Sequence, residues 1–345
     1  MARIHPLLLD IDSAEFRLLN DWQRGFPLVP RPFAVIGDRV GLSEQAVIER
    51  YLDWVTSGVV SRVGAVFAPR RLGAGALVAL AVPPKRLDDV AARVSAEPGV
   101  NHNYEREHAF NLWFVASAAD DKTLRRMVCS IEADTGCHAL ILPLEEEFHI
   151  DLGFDLSGRC AADRAECESR VSGSTATACA LPEMERSLFA ALQRGLPIMP
   201  APWAGVGQRV GLNENMVIEI VSRALEDGLI RRFGVVVRHH ELGIKANAMC
   251  VWDVPDELAS TLGRQLARYP GVTLCYRRAR SLPHWPYNLF CMIHGSVRET
   301  VLAQRDEIAR SLGLDHFPHA VLFSGRRFKQ SGAHYLPLGP ESGHG

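Results

Sequence analysis

The run His102-Asn103-Tyr104-Glu105-Arg106-Glu107-His108 gathers two histidines, a tyrosine, an arginine and two glutamates, and the apolar run Asn111-Leu112-Trp113-Phe114-Val115 follows at once. Imidazole can hold and deliver a proton near neutral pH, and a phenol can donate a hydrogen bond to a carboxylate. These residue types suit acid–base work at the rim of a site; the alternative is a solvated strand entrance. If Val100–Arg106 is a strand, His102, Tyr104 and Arg106 share one face, and Asn101, Asn103 and Glu105 share the other. His108 falls in the following turn. His239 and His240 close another β-branched run and point opposite ways, so at most one of them faces a given pocket. His294 follows a further apolar strand.

The elements that must position these groups occur twice. RGFPLVPRPFAVIGDRVGLSEQAVIERYLDWVTSGVVSRVGAVF begins at Arg24, and RGLPIMPAPWAGVGQRVGLNENMVIEIVSRALEDGLIRRFGVVV begins at Arg194. An offset of 170 relates Arg39 to Arg209, Gly58 to Gly228 and Gly64 to Gly234; it becomes 172 at Tyr104/Tyr276 and 177 at Asn111/Asn288. The chain is a tandem duplication with small loop insertions. In each copy the first part reads as helices with a tight turn, then a β-branched wing. In the first copy helices are predicted over Ala14–Arg24, Ala34–Val40 and a third segment that Ser43 caps and Gly58 ends. The second part reads as strand Ala76–Val82, helix Leu87–Ala96, strands Val100–Arg106 and Leu112–Ala116, helix Lys122–Asp134 and strand His138–Leu142. The fold class is α+β: each copy a winged helix-turn-helix followed by a ferredoxin-like βαββαβ domain. The divisions are 1–70 and 71–156 for the first copy, a Ser-, Ala- and Gly-rich linker at 157–182, 183–240 and 241–335 for the second copy, and a tail at 336–345. The two halves form a fused pseudo-dimer.

Composition narrows the function classes. The chain has 345 residues, more than one core usually serves, and its net charge of −2 exerts no global pull on nucleic acid. No apolar run is long enough to cross a bilayer, and Asp10 and Asp12 break the short apolar start, so a cytoplasmic protein without membrane contact is expected. The eight cysteines form no C-x-x-C pair and read as reduced, mostly buried thiols.

A winged helix-turn-helix followed by βαββαβ resembles the Lrp/AsnC regulators, twice over. A helix that reads DNA usually carries lysine and arginine. Here SEQAVIERYLDWVTSG sets Glu44, Glu49 and Asp53 against Arg50, and NENMVIEIVSRALEDG sets Glu214, Glu219, Glu226 and Asp227 against Arg223. Duplex DNA would repel both. Within the superfamily, NHNYEREHAFNLWF, RRFGVVVRHHELGIKANAM, YRRARSLPHWPYNLFCMIHG and LFSGRRFKQSGAHY resemble the siroheme decarboxylases of haem d1 and alternative haem synthesis, with two partner subunits joined in one chain.

That resemblance implies removal of the carboxyl groups from the acetates at ring positions twelve and eighteen of siroheme, giving didecarboxysiroheme. No cofactor is implied, because the iron belongs to the substrate. Partners would be siroheme and its decarboxylated products, with room for a homodimer of the fused chain and for contact with neighbouring haem d1 pathway enzymes. The substrate's carboxylates call for cations: Arg106, Arg231, Arg232, Arg277, Arg278, Arg326, Arg327 and Lys329 are the candidates. His102 and His108 lead as proton donors, with Tyr104 and His239 beside them, and His294 is a candidate ligand of the substrate iron. The copies differ in charge at equivalent places. Glu105 stands where Arg277 does, Glu146 and Glu147 where Arg326 and Arg327 do, and His149 where Lys329 does. The basic copy would be the carboxylate clamp; ion pairing between Glu145–Glu147 and the arginines is the other use of these charges. Trp113, Trp252 and Trp285 read as core or pocket wall, and the loop SLPHWPYN as a cover. A tetrapyrrole-sensing Lrp-like regulator is the alternative function.

Overall fold

The structure is a computed structural model that describes residues 13–68, 71–150, 181–237, 246–333 and 335–336. His239, His240, most of the linker and most of the tail lie outside them. The first copy runs α1 (Ala14–Asn20), α2 (Pro32–Val40), α3 (Glu44–Ser57), β1 (Val60–Phe67), β2 (Ala74–Leu80), α4 (Leu87–Ala96), β3 (Val100–Arg106), β4 (Leu112–Ala118), α5 (Asp121–Thr135) and β5 (Ala139–Ile150). The second repeats it: α6 (Glu183–Leu192), α7 (Pro202–Val210), α8 (Glu214–Glu226), β6 (Ile230–Val237), β7 (Ala246–Trp252), α9 (Asp256–Leu266), β8 (Val272–Arg278), β9 (Leu289–Gly295), α10 (Arg298–Leu312) and β10 (His319–Gln330). Among the described residues no helix is long and apolar enough to cross a membrane.

The chain forms two compact units, and each unit takes a part from both copies. The first holds the helix-turn-helix parts. Ser43 Oγ accepts from Ala46 N–H at 3.2 Å, and Asn213 Oδ1 accepts from Met216 N–H at 2.9 Å, so the equivalent helices α3 and α8 start on equivalent caps. Gly58 ends α3 with φ of 83°, a conformation that disfavours a side chain. β1 and β6 pair antiparallel into a two-stranded sheet, with Gly64 opposite Gly234. A Cβ on Gly234 would collide with the backbone carbonyls of Trp22 and Gln23. The matched glycines let each copy's backbone close on the other's strand. One apolar cluster, with Phe33, Tyr51, Trp203 and Phe233 at or near zero exposure, spans both parts.

The second unit is a closed barrel of strand order β10-β3-β4-β2-β5-β8-β9-β7. Within each half the chain order is strand, helix, strand, strand, helix, strand, and β5 and β10 each bridge to the other copy. Helices α4 and α5 cover one apolar cluster, and α9 and α10 cover another. A third cluster fills the interior with Trp113, Leu142, Met249, Val251, Phe290 and Leu322, drawn from both copies. Asn111 and Asn288 fasten equivalent strand ends. Asn111 Oδ1 accepts from Val82 N–H and its Nδ2 donates to the Val82 carbonyl, both at 2.9 Å; Asn288 does the same to Val254 at 3.1 and 3.0 Å.

Several boundaries differ from the sequence reading. The first helix stops at Asn20, yet Trp22 beyond it is still buried. The strand expected at Ala76–Val82 is Ala74–Leu80, because Val82 leaves the ladder to bond the Asn111 side chain. The strand expected to end at Leu142 runs on to Ile150, since its second half pairs with β8 of the other copy.

Candidate functional site

The expected alternation holds from His102 to Arg106; a register shift between Val100 and His102 interrupts it before that, and Asn101 bonds Ser117 Oγ at 3.3 Å. Asn103 turns to the helix side, where its Nδ2 donates to the Ala91 carbonyl and to Ser95 Oγ, both at 3.0 Å. His102, Tyr104 and Arg106 take the other face, and Tyr104 stands opposite the interior residue Trp113. The His102 and Tyr104 rings stack at 6.1 Å with a 17° tilt. β10 supplies the opposing residues, with Arg327 opposite Tyr104 and Gln330 opposite His102, and Arg327 Nη1 donates to Gln330 Oε1 at 3.0 Å. Burial raises the Tyr104 pKa against the opposing pull of Arg327 and Arg106, so the phenol keeps its proton at neutral pH. An imidazole, a protonated phenol and a guanidinium therefore meet at one seam.

The equivalent position on the other seam is different. Leu274 replaces His102, and Glu147 stands opposite Tyr276 where Arg327 stands opposite Tyr104. The Tyr276 pKa is pushed up to about 12, chiefly by burial.

Arg106 and Arg278 are spoken for. Arg106 Nη1 donates to the Leu322 carbonyl and to Ser324 Oγ, both at 3.1 Å, and Arg278 Nη1 donates to the Leu142 carbonyl at 3.0 Å. Leu322 and Leu142 are equivalent residues of β10 and β5, so each arginine ties its own copy's strand to the other copy. Burial brings Arg106 down to about 10, which leaves it cationic at neutral pH.

His108 lies in the turn after β3. Its Nδ1 accepts from Phe110 N–H at 3.1 Å, so the neutral ring carries its proton on Nε2. Its ring meets Trp285 edge to face at 5.4 Å and stacks on Phe110 at 6.2 Å. Burial among these apolar rings lowers the His108 pKa. The contact with Trp285 had no local signal in the first copy; its only trace was the insertion in the second copy's loop. That loop does not merely cover. It inserts Trp285, fully buried, into the interior cluster against Trp113 at 4.9 Å. Phe110 and His284 also line a cavity of about 430 Å³ with Arg86 and His138.

The other candidates are dispersed. Arg277 Nε lies 2.8 Å from Glu145 Oε2, and its Nη2 lies 3.0 Å from Asp256 Oδ1. Arg326 contacts Glu105 at 2.7 Å and Asp88 at 2.6 Å. Lys329 Nζ donates to the Ser95 and Glu97 carbonyls, at 2.8 and 2.9 Å, at the end of α4. These three cations, expected on substrate, are engaged by protein oxygens. Arg231 and Arg232 belong to the first unit, where Arg232 Nη1 donates to the Gln23 and Val235 carbonyls at 2.5 and 3.2 Å. His294 is on β9, with its Nδ1 donating to Asn247 Oδ1 at 2.6 Å. Among the described residues no group of three or more His, Cys, Asp or Glu side chains could hold a metal ion.

Comparison with known proteins agrees over most of the chain. The family described as AsnC-like ligand binding domain matches residues 71–149 and 241–329, and the siroheme decarboxylase NirDL-like HTH domain matches 15–60 and 185–231. A siroheme decarboxylase NirDL subunit of Paracoccus denitrificans is 42% identical over 326 residues, covering 94% of this chain and 98% of the relative. The crystal structure of the siroheme decarboxylase NirDL superposes with a TM-score of 0.67 at 29% identity, covering 94% of this chain and 95% of that one. The structure of NirDL in co-complex with an iron-uroporphyrin III analogue gives a TM-score of 0.66 at 29% identity and 93% coverage of both chains.

Proposed function

Because the chain belongs to the siroheme decarboxylases, a family of carboxy-lyases, we propose that it removes the acetate carboxyls at ring positions twelve and eighteen of siroheme to give didecarboxysiroheme for haem d1 synthesis. The observation that carries the reading within the barrel is the cluster of His102, Tyr104 and Arg327 across the β3–β10 seam. Arg327 and the Tyr104 hydroxyl bind a substrate carboxylate, and His102 delivers the proton. The strand order, with β3-β4-β2-β5 contiguous in one half, supports a ferredoxin-like reading of each α/β half.

Loss of carbon dioxide breaks the bond between the acetate methylene and its carboxylate carbon and leaves the electron pair on the methylene. Protonation of the adjacent ring system makes the macrocycle an acceptor for that pair. A proton at the methylene then completes the methyl group as the ring gives back the one it took, so each loss of carbon dioxide consumes one proton net. His102 supplies the ring proton as general acid, a role typically worth about 10²–10⁴-fold. His108, neutral with its proton on Nε2, donates a hydrogen bond that orients a second carboxylate, and apolar surroundings favour the departure of neutral carbon dioxide. The iron arrives with the substrate, and no further cofactor is invoked. His294, with Nδ1 donating to Asn247, carries its lone pair on Nε2, the arrangement a histidine needs to bind that iron.

The test is anaerobic incubation of the full chain with siroheme, followed by mass spectrometry. Two successive losses of carbon dioxide are expected, and His102→Ala should slow them by about 10²–10⁴-fold. An unchanged mass with a shifted absorption spectrum would reduce the protein to a siroheme binder, and a full rate in His102→Ala would remove that residue from the chemistry.

A further inference from the structure

Each of the barrel's two inter-copy seams pairs charges of opposite sign. At the β3–β10 seam, Glu105 and Asp88 of the first copy meet Arg326 of the second, and Glu107 meets Arg298 through two bonds of 2.7 and 2.6 Å. At the β5–β8 seam, Glu145 of the first copy meets Arg277 of the second at 2.8 Å, and Glu146 meets Arg264 at 3.3 Å. In each of these pairs the first copy supplies the carboxylate and the second the guanidinium.

Repeat equivalence gives this pattern its meaning. Glu105 corresponds to Arg277, and Glu146 corresponds to Arg326. Two first-copy halves closing a barrel by the same seams would set Glu105 against Glu146 twice. Two second-copy halves would set Arg277 against Arg326 twice. Only an unlike pair places opposite charges at both seams. We propose that these residues form a charge code that admits only an unlike half as barrel partner, so that the chain closes on its own second copy. Like-with-like pairing would leave one half of each chain open to recruit another chain, a route to open-ended assembly.

The magnitudes fit selection better than stabilisation. Arg326 is 53% and Glu145 43% exposed, and exposed ion pairs contribute little. Like charges forced together at both seams exclude the wrong partner more effectively than the correct pairs bind the right one. The code also accounts for the sign difference between the copies without assigning Arg277 or Arg326 to substrate.

The test exchanges equivalent residues between copies in the full chain, which keeps composition and net charge constant. E105R/R277E gives each half one cationic and one anionic seam, so unlike closure becomes repulsive at both seams and like-with-like pairing becomes attractive. E146R/R326E sets a carboxylate against Glu105 at the β3–β10 seam and a guanidinium opposite Arg277 in the β5–β8 register, although Arg277 keeps Glu145. The four-fold exchange restores opposite signs across 105/326 and across 146/277, and the retained Glu145, which then faces a carboxylate at 277, keeps recovery short of complete. Each double exchange should lower the melting temperature by roughly 5 °C or more at low salt and yield species heavier than wild type by light scattering, and high salt should narrow the difference. The four-fold variant should recover most of the loss and the wild-type mass. Double exchanges that melt and sediment like wild type would overturn the code. So would a four-fold variant as unstable as the two double exchanges combined; its recovery is what separates a sign rule from simple damage.

Discussion

At His108, one residue of the first copy and one of the second set the proton's position and its affinity. Phe110 N–H occupies Nδ1, and the fully buried Trp285 presses on the ring, so desolvation lowers the pKa. Removing that cover should reverse the shift. Trp285→Ala is expected to raise the His108 titration midpoint toward the ordinary histidine value, and Trp285→Phe to raise it less, read by the imidazole resonances across pH. A midpoint that stays put in both variants would detach Trp285 from His108. The same shift has a stability consequence with a fixed sign. A histidine whose folded pKa lies below its unfolded one binds its proton less readily when folded. Acid below the ordinary histidine range therefore costs stability, and the barrel should gain stability as pH rises through that range. The polar cluster around His102 was legible from strand alternation alone. Trp285 was legible as core or pocket wall, but its contact with His108 was not, because the two sit in different copies and no periodicity links them.

Elements carry the duplication into the fold. Caps, turns and the strap asparagines sit at repeat-equivalent positions, so local sequence was enough to locate Ser43 and Gly58 as structural and to pair Asn111 with Asn288. β5 was misjudged in length, since Pro143 and the acidic run Glu145–Glu147 look like an ending until β8 is there to pair with them. The β1–β6 ribbon makes the corresponding prediction. Gly234→Ala pushes a methyl into the Trp22 and Gln23 carbonyls, which are backbone and cannot swing aside. We expect a loss of about 1–3 kcal/mol, the usual penalty for overpacking, seen as earlier thermal unfolding and faster amide exchange along β1 and β6. Unchanged exchange there would show that the close approach of the copies does not depend on that glycine.

On the scale of the whole molecule, the helix-turn-helix parts raise the question of DNA. α3 leaves Glu49 and Asp53 exposed, while Arg50 lies 3.2 Å from Glu15; α8 leaves Glu219 and Glu226 exposed, while Arg223 lies 2.6 Å from Glu185. Glu15 and Glu185 are repeat-equivalent, so both copies tie an arginine of this helix to the same place on the helix that opens the copy. Binding that neutralises phosphates needs cations free to release the counterions of the duplex, and these helices offer mainly carboxylates. The paired strands β1 and β6 meanwhile join the two parts to each other. The full chain should therefore fail to retard duplex DNA of any sequence in a gel shift even at low salt, where nonspecific binding is strongest. Tight retention that weakens steeply with added salt would revive the regulator reading and would require a cationic surface other than α3 and α8.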